Sequence, residues 1–219
     1  RLMLINLTSF VKNPWSTDAK FDYGKFRVTA MKAQRLMDDM IDLEIEQVNK
    51  ILAKIESDPE PDVVKYYEKN LWENVKQVAL KGRRTGLGIT GLGDASIETT
   101  EEIYKWLSLA SYEESINLAK ERGAFPIFNL EKEKYHPFLD RVLSELLPNV
   151  QEDYKKHGRR NIANTTTAPA GSVSCLTQTT SGIEPAFMLY YTRRKKVQGD
   201  EEVMFVDDVG DKWTEFNVY

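Results

Sequence analysis

Apolar and polar positions follow two rhythms along this chain. Leu2-Met3-Leu4-Ile5-Asn6-Leu7 opens a nearly continuous apolar run to Val11, which predicts a buried strand with Asn6 as its polar insertion. Lys12-Asn13-Pro14-Trp15 breaks it. Beyond Asp22 the spacing changes to threes and fours at Ala33, Met37, Met40, Ile41, Val48, Ile51, Leu52 and Ile55, which predicts a long helix with one broad apolar face. Met37 and Met40 read as core packing. Ser57-Asp58-Pro59-Glu60-Pro61 ends that helix and starts another, lined by Val64, Tyr67, Leu71, Val75 and Val78.

The glycines of Lys81–Gly93 sit between apolar residues, as in a strand and loop that another backbone or a ligand approaches closely. Gly86, Gly88 and Gly91 spell Gly-x-Gly-x-x-Gly, but a dinucleotide fingerprint needs a helix directly afterwards, and the next one starts near Thr99. Arg83-Arg84 suit an anion or, more simply, a solvated pair at the strand's start. Thr99-Thr100-Glu101-Glu102 reads as a capping box. It opens a helix with Ile103, Trp106, Leu107, Ala110, Ile116 and Ala119 on its apolar side and Gly123 at its C-cap. His136-Pro137 begins a short helix burying Phe138, Val142, Leu143, Leu146 and Leu147, and Pro148 starts another that Gly158 closes. His157 reads as a surface residue at that helix end. Ile162–Thr167 is extended, Phe187–Tyr191 is strand-like, and Glu202–Val206 with Trp213–Tyr219 forms a hairpin. Strands interspersed with helical pairs predict an α/β fold, as a barrel fragment or partial sheet.

Composition narrows the class. The 219 residues suffice for one or two domains with a core, and 41% apolar with 29% charged residues fits a soluble globular chain. A net charge of -4 gives no general ground for nucleic-acid binding. The basic run Arg193–Lys196 beside Tyr190 and Tyr191 is the local exception, with a solvated strand end as the alternative. The single cysteine, Cys175, rules out an internal disulfide framework and a thiolate cluster, and fits a reducing, cytoplasmic setting. No apolar run reaches membrane-spanning length. Asn6-Leu7-Thr8 and Asn164-Thr165-Thr166 match the glycosylation pattern by chance. The chain opens on Arg1 within an apolar run and stops in an apparent strand, so it reads as a piece of a longer protein.

The chemistry concentrates in Thr165–Cys175 and Thr180–Pro185. Small hydroxyl residues, two glycines and two prolines surround a helix start near Gly171. Free N–H groups at such a start suit a phosphate. The alternative is a Ser/Thr-rich loop with an ordinary cap, and no Gly-Lys-Ser/Thr makes it a P-loop.

Thr167-Ala168-Pro169-Ala170-Gly171-Ser172-Val173-Ser174 with Ser181-Gly182-Ile183-Glu184-Pro185 resembles the large catalytic subunit of ribonucleotide reductase, nearest its adenosylcobalamin-dependent class. Asn6–Val11, Gly82–Gly88 and Ala119–Pro126 agree in the same order, so the likeness runs over essentially the whole chain. It implies that residues 1–219 are part of a ten-stranded α/β barrel that reduces ribonucleotides to 2′-deoxyribonucleotides by radical chemistry. It further implies a ribonucleotide substrate, a thioredoxin-like reductant, a deoxynucleotide effector in the full-length protein, a homodimer, and no membrane or nucleic-acid partner. The family's radical-cysteine motif, Asn-Pro-Cys-x-Glu, is absent, and Asn13-Pro14-Trp15 is no substitute, so the segment alone is expected to be inactive. By the same likeness Ala170, Gly171, Ser172, Val173 and Ser174 bind the substrate phosphates. Ala170 stands where threonine is commoner, which removes a hydroxyl but not the backbone donor. Glu184 caps or pairs, and Cys175 is a buried small hydrophobe. Residues 95–98 and 197–201 are shorter than the family pattern. A metal-radical partner subunit in place of cobalamin, and a noncatalytic nucleotide-binding module, are the alternatives.

Overall fold

In the computed structural model every residue is described except 96–99, 185–187, 189 and 219. Two units result, Arg1–Ile183 and Glu184–Tyr219. In the first, β1 (Leu2–Asn6) runs parallel to β4 (Gly86–Thr90), Leu4 facing Gly88 and Asn6 facing Thr90. The extended segment around Thr165 flanks β4 on its other side. Leu87 N–H donates to the Asn164 carbonyl at 2.8 Å, and Thr166 N–H to the Leu87 carbonyl at 3.0 Å.

Every residue of β4 is buried, and its two faces differ. Leu87 and Ile89 join Ile5 in the core, packed beneath α1 (Tyr23–Ser57) and α3 (Thr100–Arg122) through Phe26, Ala30, Ala33, Met37, Ile103, Leu107 and Ala110. On the other face, Gly86 and Gly88 leave room for neighbours. A Cβ on Gly88 would lie 2.7 Å from Leu4 Cδ2 and 3.0 Å from the Thr166 carbonyl oxygen. The glycines are therefore needed for close approach within the sheet.

The predicted first strand stops early. Asn6 accepts from Thr8 N–H at 3.1 Å and turns Leu7–Phe10 into a short 3-10 helix. The chain then crosses β2 (Val11–Lys12) and β3 (Lys20–Phe21), an antiparallel pair, and enters α1, capped by Asp22. Phe10, Phe21 and Phe26 meet edge-on or tilted at its start. The expected α1 stripe is buried at Ala33, Met37, Ile41, Val48 and Ile55, whereas Met40 is exposed. α2 (Asp62–Gly82) departs further: Val64, Tyr67, Leu71 and Val78 all face solvent. Helical rhythm shows which residues share a face, not whether anything covers it.

A second core joins Tyr112 and Ile116 of α3 to Leu139, Val142 and Leu146 in and after α5 (Pro137–Glu145), and to Val150 and Tyr154 of α6 (Pro148–His157). A single-turn helix, α4 (Leu130–Glu133), precedes them. Leu147, expected in the core, is exposed. Thr99, the first residue of the expected capping box, lies outside the described residues.

The second unit is a three-stranded antiparallel sheet of β5 (Tyr191–Lys196), β7 (Lys212–Val218) and β6 (Phe205–Val206), with β7 central. The expected hairpin is present. Of the strand expected over Phe187–Tyr191, residues 187 and 189 lie outside the described residues, Met188 and Tyr190 are not in a strand, and β5 starts only at Tyr191 and is built from the basic run itself. Three of its four cations have partners within the unit: Arg194 pairs with Glu215 at 2.6 Å, Lys195 with Glu201 and Lys196 with Asp211.

A ten-stranded α/β barrel is not what forms. Among the described residues the protein is mostly helical, with separate sheets of two, two and three strands. A barrel requires every strand to pair on both sides with matched tilt and stagger. Among the described residues β1 pairs only with β4, so the parallel sheet is open there, and the long stretches separating its members are helices whose 3.6-residue rhythm is incompatible with a strand's two-residue alternation.

Candidate functional site

Parallel strands converge their C-terminal ends on one edge, where side chains and loop amides are free of the ladder. Here that edge carries Asn6, Thr90 and the stretch after Thr166. The chain leaves the sheet through Thr167-Ala168-Pro169 and starts α7 (Gly171–Thr177) with Ala170 as N-cap.

Ala170 is buried and supplies no side-chain cap, so its missing hydroxyl leaves the helix start to backbone groups. The first intrahelical bond is Ser174 N–H to the Ala170 carbonyl, at 2.6 Å. The N–H groups of Gly171, Ser172 and Val173 precede that ladder, and all three residues are exposed. Among the described residues nothing lies within 4 Å of a Cβ placed on Gly171. Ser174 is different. It is buried, and its hydroxyl donates to the Gly171 carbonyl at 2.8 Å, so its proton serves the turn. The five residues expected to act together thus share one turn, with Ser172 as the exposed hydroxyl. Cys175, expected to be buried, is exposed on α7.

At its far end α7 returns to β4. Gln178 takes a left-handed conformation at the C-cap, φ 54°. Thr180 N–H donates to Asp94 Oδ2 at 2.5 Å, while the Thr180 carbonyl accepts from Gly91 N–H at 2.9 Å and Thr90 Oγ1 at 2.7 Å. Thr179 Oγ1 lies 3.1 Å from Thr90 Oγ1 and 2.8 Å from Thr177 Oγ1. Gly91 has φ +75°, and a Cβ there would meet Asn6 Oδ1 at 3.1 Å and Thr179 Cβ at 3.4 Å. This geometry also removes the dinucleotide reading: Gly86 and Gly88 lie within β4, and the next described helix starts at Thr100.

The N-terminal end of the sheet holds a different cluster. Asp38 is fully buried on α1; its Oδ1 accepts from Arg83 Nε at 2.8 Å and Asn161 Nδ2 at 2.9 Å. Its Oδ2 lies 3.3 Å from both Arg122 and Arg160. Asn161 Oδ1 accepts in turn from Gln34 and Ser115, each at 3.0 Å, and Gln34 donates to Thr85 at 2.9 Å. Burial pushes the Asp38 carboxyl upward, but the Arg83 hydrogen bond and the neighbouring positive charges outweigh it and hold it below the ordinary aspartate value. Arg83 is buried here rather than solvated, and this cluster ties α1, α3 and the sheet together. Its signal was present in the sequence: Gln34 and Asp38 are polar residues four apart within the apolar stripe of α1.

His136 caps α5, accepting from Leu139 N–H through Nδ1 at 3.4 Å. No group of three His, Cys, Asp or Glu side chains converges among the described residues, and no helix there is long and apolar enough to cross a membrane.

The family described as "Ribonucleotide reductase, barrel domain" matches residues 1–212. The "Vitamin B12-dependent ribonucleoside-diphosphate reductase" of Thermoplasma acidophilum is 26% identical over 230 residues, covering 98% of this chain and 23% of that protein. A Mycobacterium tuberculosis protein of the same name is 26% identical over 188 residues, covering 80% of this chain and 21% of its own length. The "Ribonucleoside-diphosphate reductase subunit alpha" of Treponema pallidum is 26% identical over 128 residues, covering 52% and 15%. The chain therefore spans about a quarter or less of the length of these relatives.

Proposed function

The chain belongs to the ribonucleotide reductase barrel-domain family, and from that membership we propose that it is the part of a ribonucleotide reductase that grips the substrate's phosphates. The activity is reduction of a ribonucleotide to the 2′-deoxyribonucleotide by the full-length protein. The grip is the turn Ala170–Ser174. Supporting it is one observation: the N–H groups of three exposed residues, Gly171, Ser172 and Val173, lie outside the intrahelical ladder beside the strand ends. Such groups hold a polyanion by oriented dipoles and contribute no oxidisable side chain to radical chemistry. Ser172 adds one hydroxyl, whereas Ser174 shapes the turn.

The cofactor class follows the relatives named vitamin B12-dependent, and we assign adenosylcobalamin on that ground. Among the described residues His136 is engaged in capping α5, and no group of three His, Cys, Asp or Glu side chains converges. A dithiol reductant, a deoxynucleotide effector and homodimerisation belong to the same proposal.

Crystals of the full-length protein soaked with a ribonucleoside diphosphate test the grip. Phosphate density against residues 171–174 is the expected result, and density elsewhere overturns it. Turnover with adenosylcobalamin and a dithiol, without a second subunit, tests the cofactor class. A requirement for a metal-radical partner subunit would overturn that assignment.

A further inference from the structure

α2 runs along α1, yet of its 21 residues only the last, Gly82, is buried among the described residues. Val64, Tyr67, Leu71, Asn74 and Val78 follow one another at alternating spacings of three and four, the a/d rhythm of a helix that packs against another helix. All five are exposed, Tyr67 and Val78 by 70% each and Leu71 by 60%. The half-buried Lys65, Trp72, Lys76 and Ala79 mark another side, roughly a third of a turn around the helix. Beside the stripe, Leu71, Val75 and Val78 line a groove of about 450 Å³ together with Ile41 of α1. A contiguous apolar stripe of this kind marks an interaction surface.

Charge selects the occupant. Glu56 pairs with Lys69, and Arg83 with Asp38 and Asp42, but among the described residues Asp58, Glu60, Asp62, Lys81 and Arg84 enter no ion pair. The three acids stand at the start of α2 and the two bases at its end. That order suits the helix dipole. It also makes the helix complementary to itself when a second one is laid antiparallel, whereas a parallel pair would set like charges side by side at both ends.

We propose that α2 is an interface with a second copy of this chain, the two helices packed antiparallel about a two-fold axis near Trp72 and Glu73. Two-fold symmetry asks one surface to be complementary to itself. α2 meets that condition with an apolar centre, acid at one end and base at the other. Antiparallel a-to-d packing sets Leu71 against Asn74 of the second copy, and Tyr67 against its Val78. Glu60 and Asp62 of each chain then approach Lys81 and Arg84 of the other. The stripe covers only about two heptads and falls short of the roughly 800 Å² per partner of a standard interface, so association through it is reversible. The end charges fix direction more than strength, and salt weakens them. The inference does not use the phosphate site. It rests on the homodimer proposed above and gives it a contact surface.

Sedimentation velocity of the full-length protein over a concentration series, at low and high salt, is the test. A reversible monomer–dimer equilibrium is expected. Leu71→Asp should weaken it about tenfold or more while leaving the thermal midpoint of the monomer unchanged. Tyr67→Ala carries the same comparison should Leu71→Asp fail to fold. Glu60→Lys with Asp62→Lys should weaken the dimer about threefold or more at low salt, as should Lys81→Glu with Arg84→Glu. Mixed in equal amounts, these two charge-reversed proteins should form a heterodimer at least as tight as the wild-type dimer, because each end again meets its opposite.

A full-length protein that stays monomeric throughout would overturn both the surface and the homodimer. A dimer that the apolar substitution and both charge reversals leave unchanged would overturn the surface alone: another face then joins the copies, and another part of the longer protein or a different partner covers α2. Weakening by Leu71→Asp without recovery in the mixture would overturn the antiparallel arrangement.

Discussion

Asp38→Asn removes one negative charge and little volume from the N-terminal end of the sheet. In the native protein the carboxylate receives hydrogen bonds from Arg83 and Asn161 on one oxygen, with Arg122 and Arg160 near the other. The amide retains a single acceptor oxygen and turns an NH2 donor toward cations. Arg83, 3% exposed, then keeps only Asp42 as an anionic partner, and that side chain is 45% exposed. Leaving a buried charge without its partner typically costs about 3–5 kcal/mol. Because Arg122 remains partly solvated, the lower end, about 3 kcal/mol, is the expected loss at neutral pH. That is a large share of a domain's usual stability of roughly 5–15 kcal/mol. The pH dependence has a definite sign. The folded carboxyl titrates below its unfolded value of about 3.9, so its stabilisation is fully present above that pH and is lost as pH falls through the folded pKa. Urea unfolding of both proteins between pH 7 and pH 2.5 is the assay. The gap between wild type and Asp38→Asn should be widest near neutrality and narrow in acid. A double-mutant cycle with Arg83→Met should show the pair costing less than the sum of its members. A loss below about 1 kcal/mol at pH 7, or a gap that stays constant in acid, would refute the reasoning.

Gly88→Ala should cost about 1–3 kcal/mol in chemical unfolding, because its Cβ meets a backbone carbonyl at 3.0 Å as well as Leu4. Leu4→Ala in the same background should recover only part, since the carbonyl stays. Gly158→Ala places a side chain at φ 72°, ψ -149° with its Cβ 2.7 Å from the Phe128 ring, and a loss of roughly 1–3 kcal/mol from backbone strain, with the clash in addition, should lower the thermal midpoint. At the proposed grip, Gly171→Asp should raise the KM for the ribonucleotide far more than Ser172→Ala, because a carboxylate repels the phosphate while the serine contributes one hydroxyl among several donors. Comparable effects from the two substitutions, measured in the full-length enzyme, would count against backbone recognition.

How much was legible in the sequence depends on the range of the interaction. The long helices follow from local information: a 3.6-residue rhythm from Ala33 to Ile55, a break at Ser57–Pro61, and glycines with positive φ at Gly123 and Gly158. Gly86 and Gly88 also announced a close approach, and the structure identifies what approaches: Leu2 and Thr166 at Gly86, Leu4 and Thr166 at Gly88. The expectations that failed needed knowledge of a partner. Barrel closure depends on a strand beside β1, and nothing within the Leu2–Asn6 pattern specifies one. The α2 stripe has the right spacing for burial, yet Val64, Tyr67, Leu71 and Val78 are exposed among the described residues. Cys175 was assigned by residue type, yet exposure in so short a helix is decided by the surface it lies against.

The candidate site divides in the same way. Its helix start was readable because proline, glycine and serine shape a turn locally. Its anchor was not, because Asp94 and Thr180 are 86 positions apart and neither threonine runs nor a lone aspartate encode their register. Local chemistry supplies the donors of an anion site, while long-range packing decides whether they point in one direction. The hydrogen bonds that join Thr180 to Asp94, Gly91 and Thr90 fix the segment after α7 against the end of β4, and they join residues that no local pattern relates.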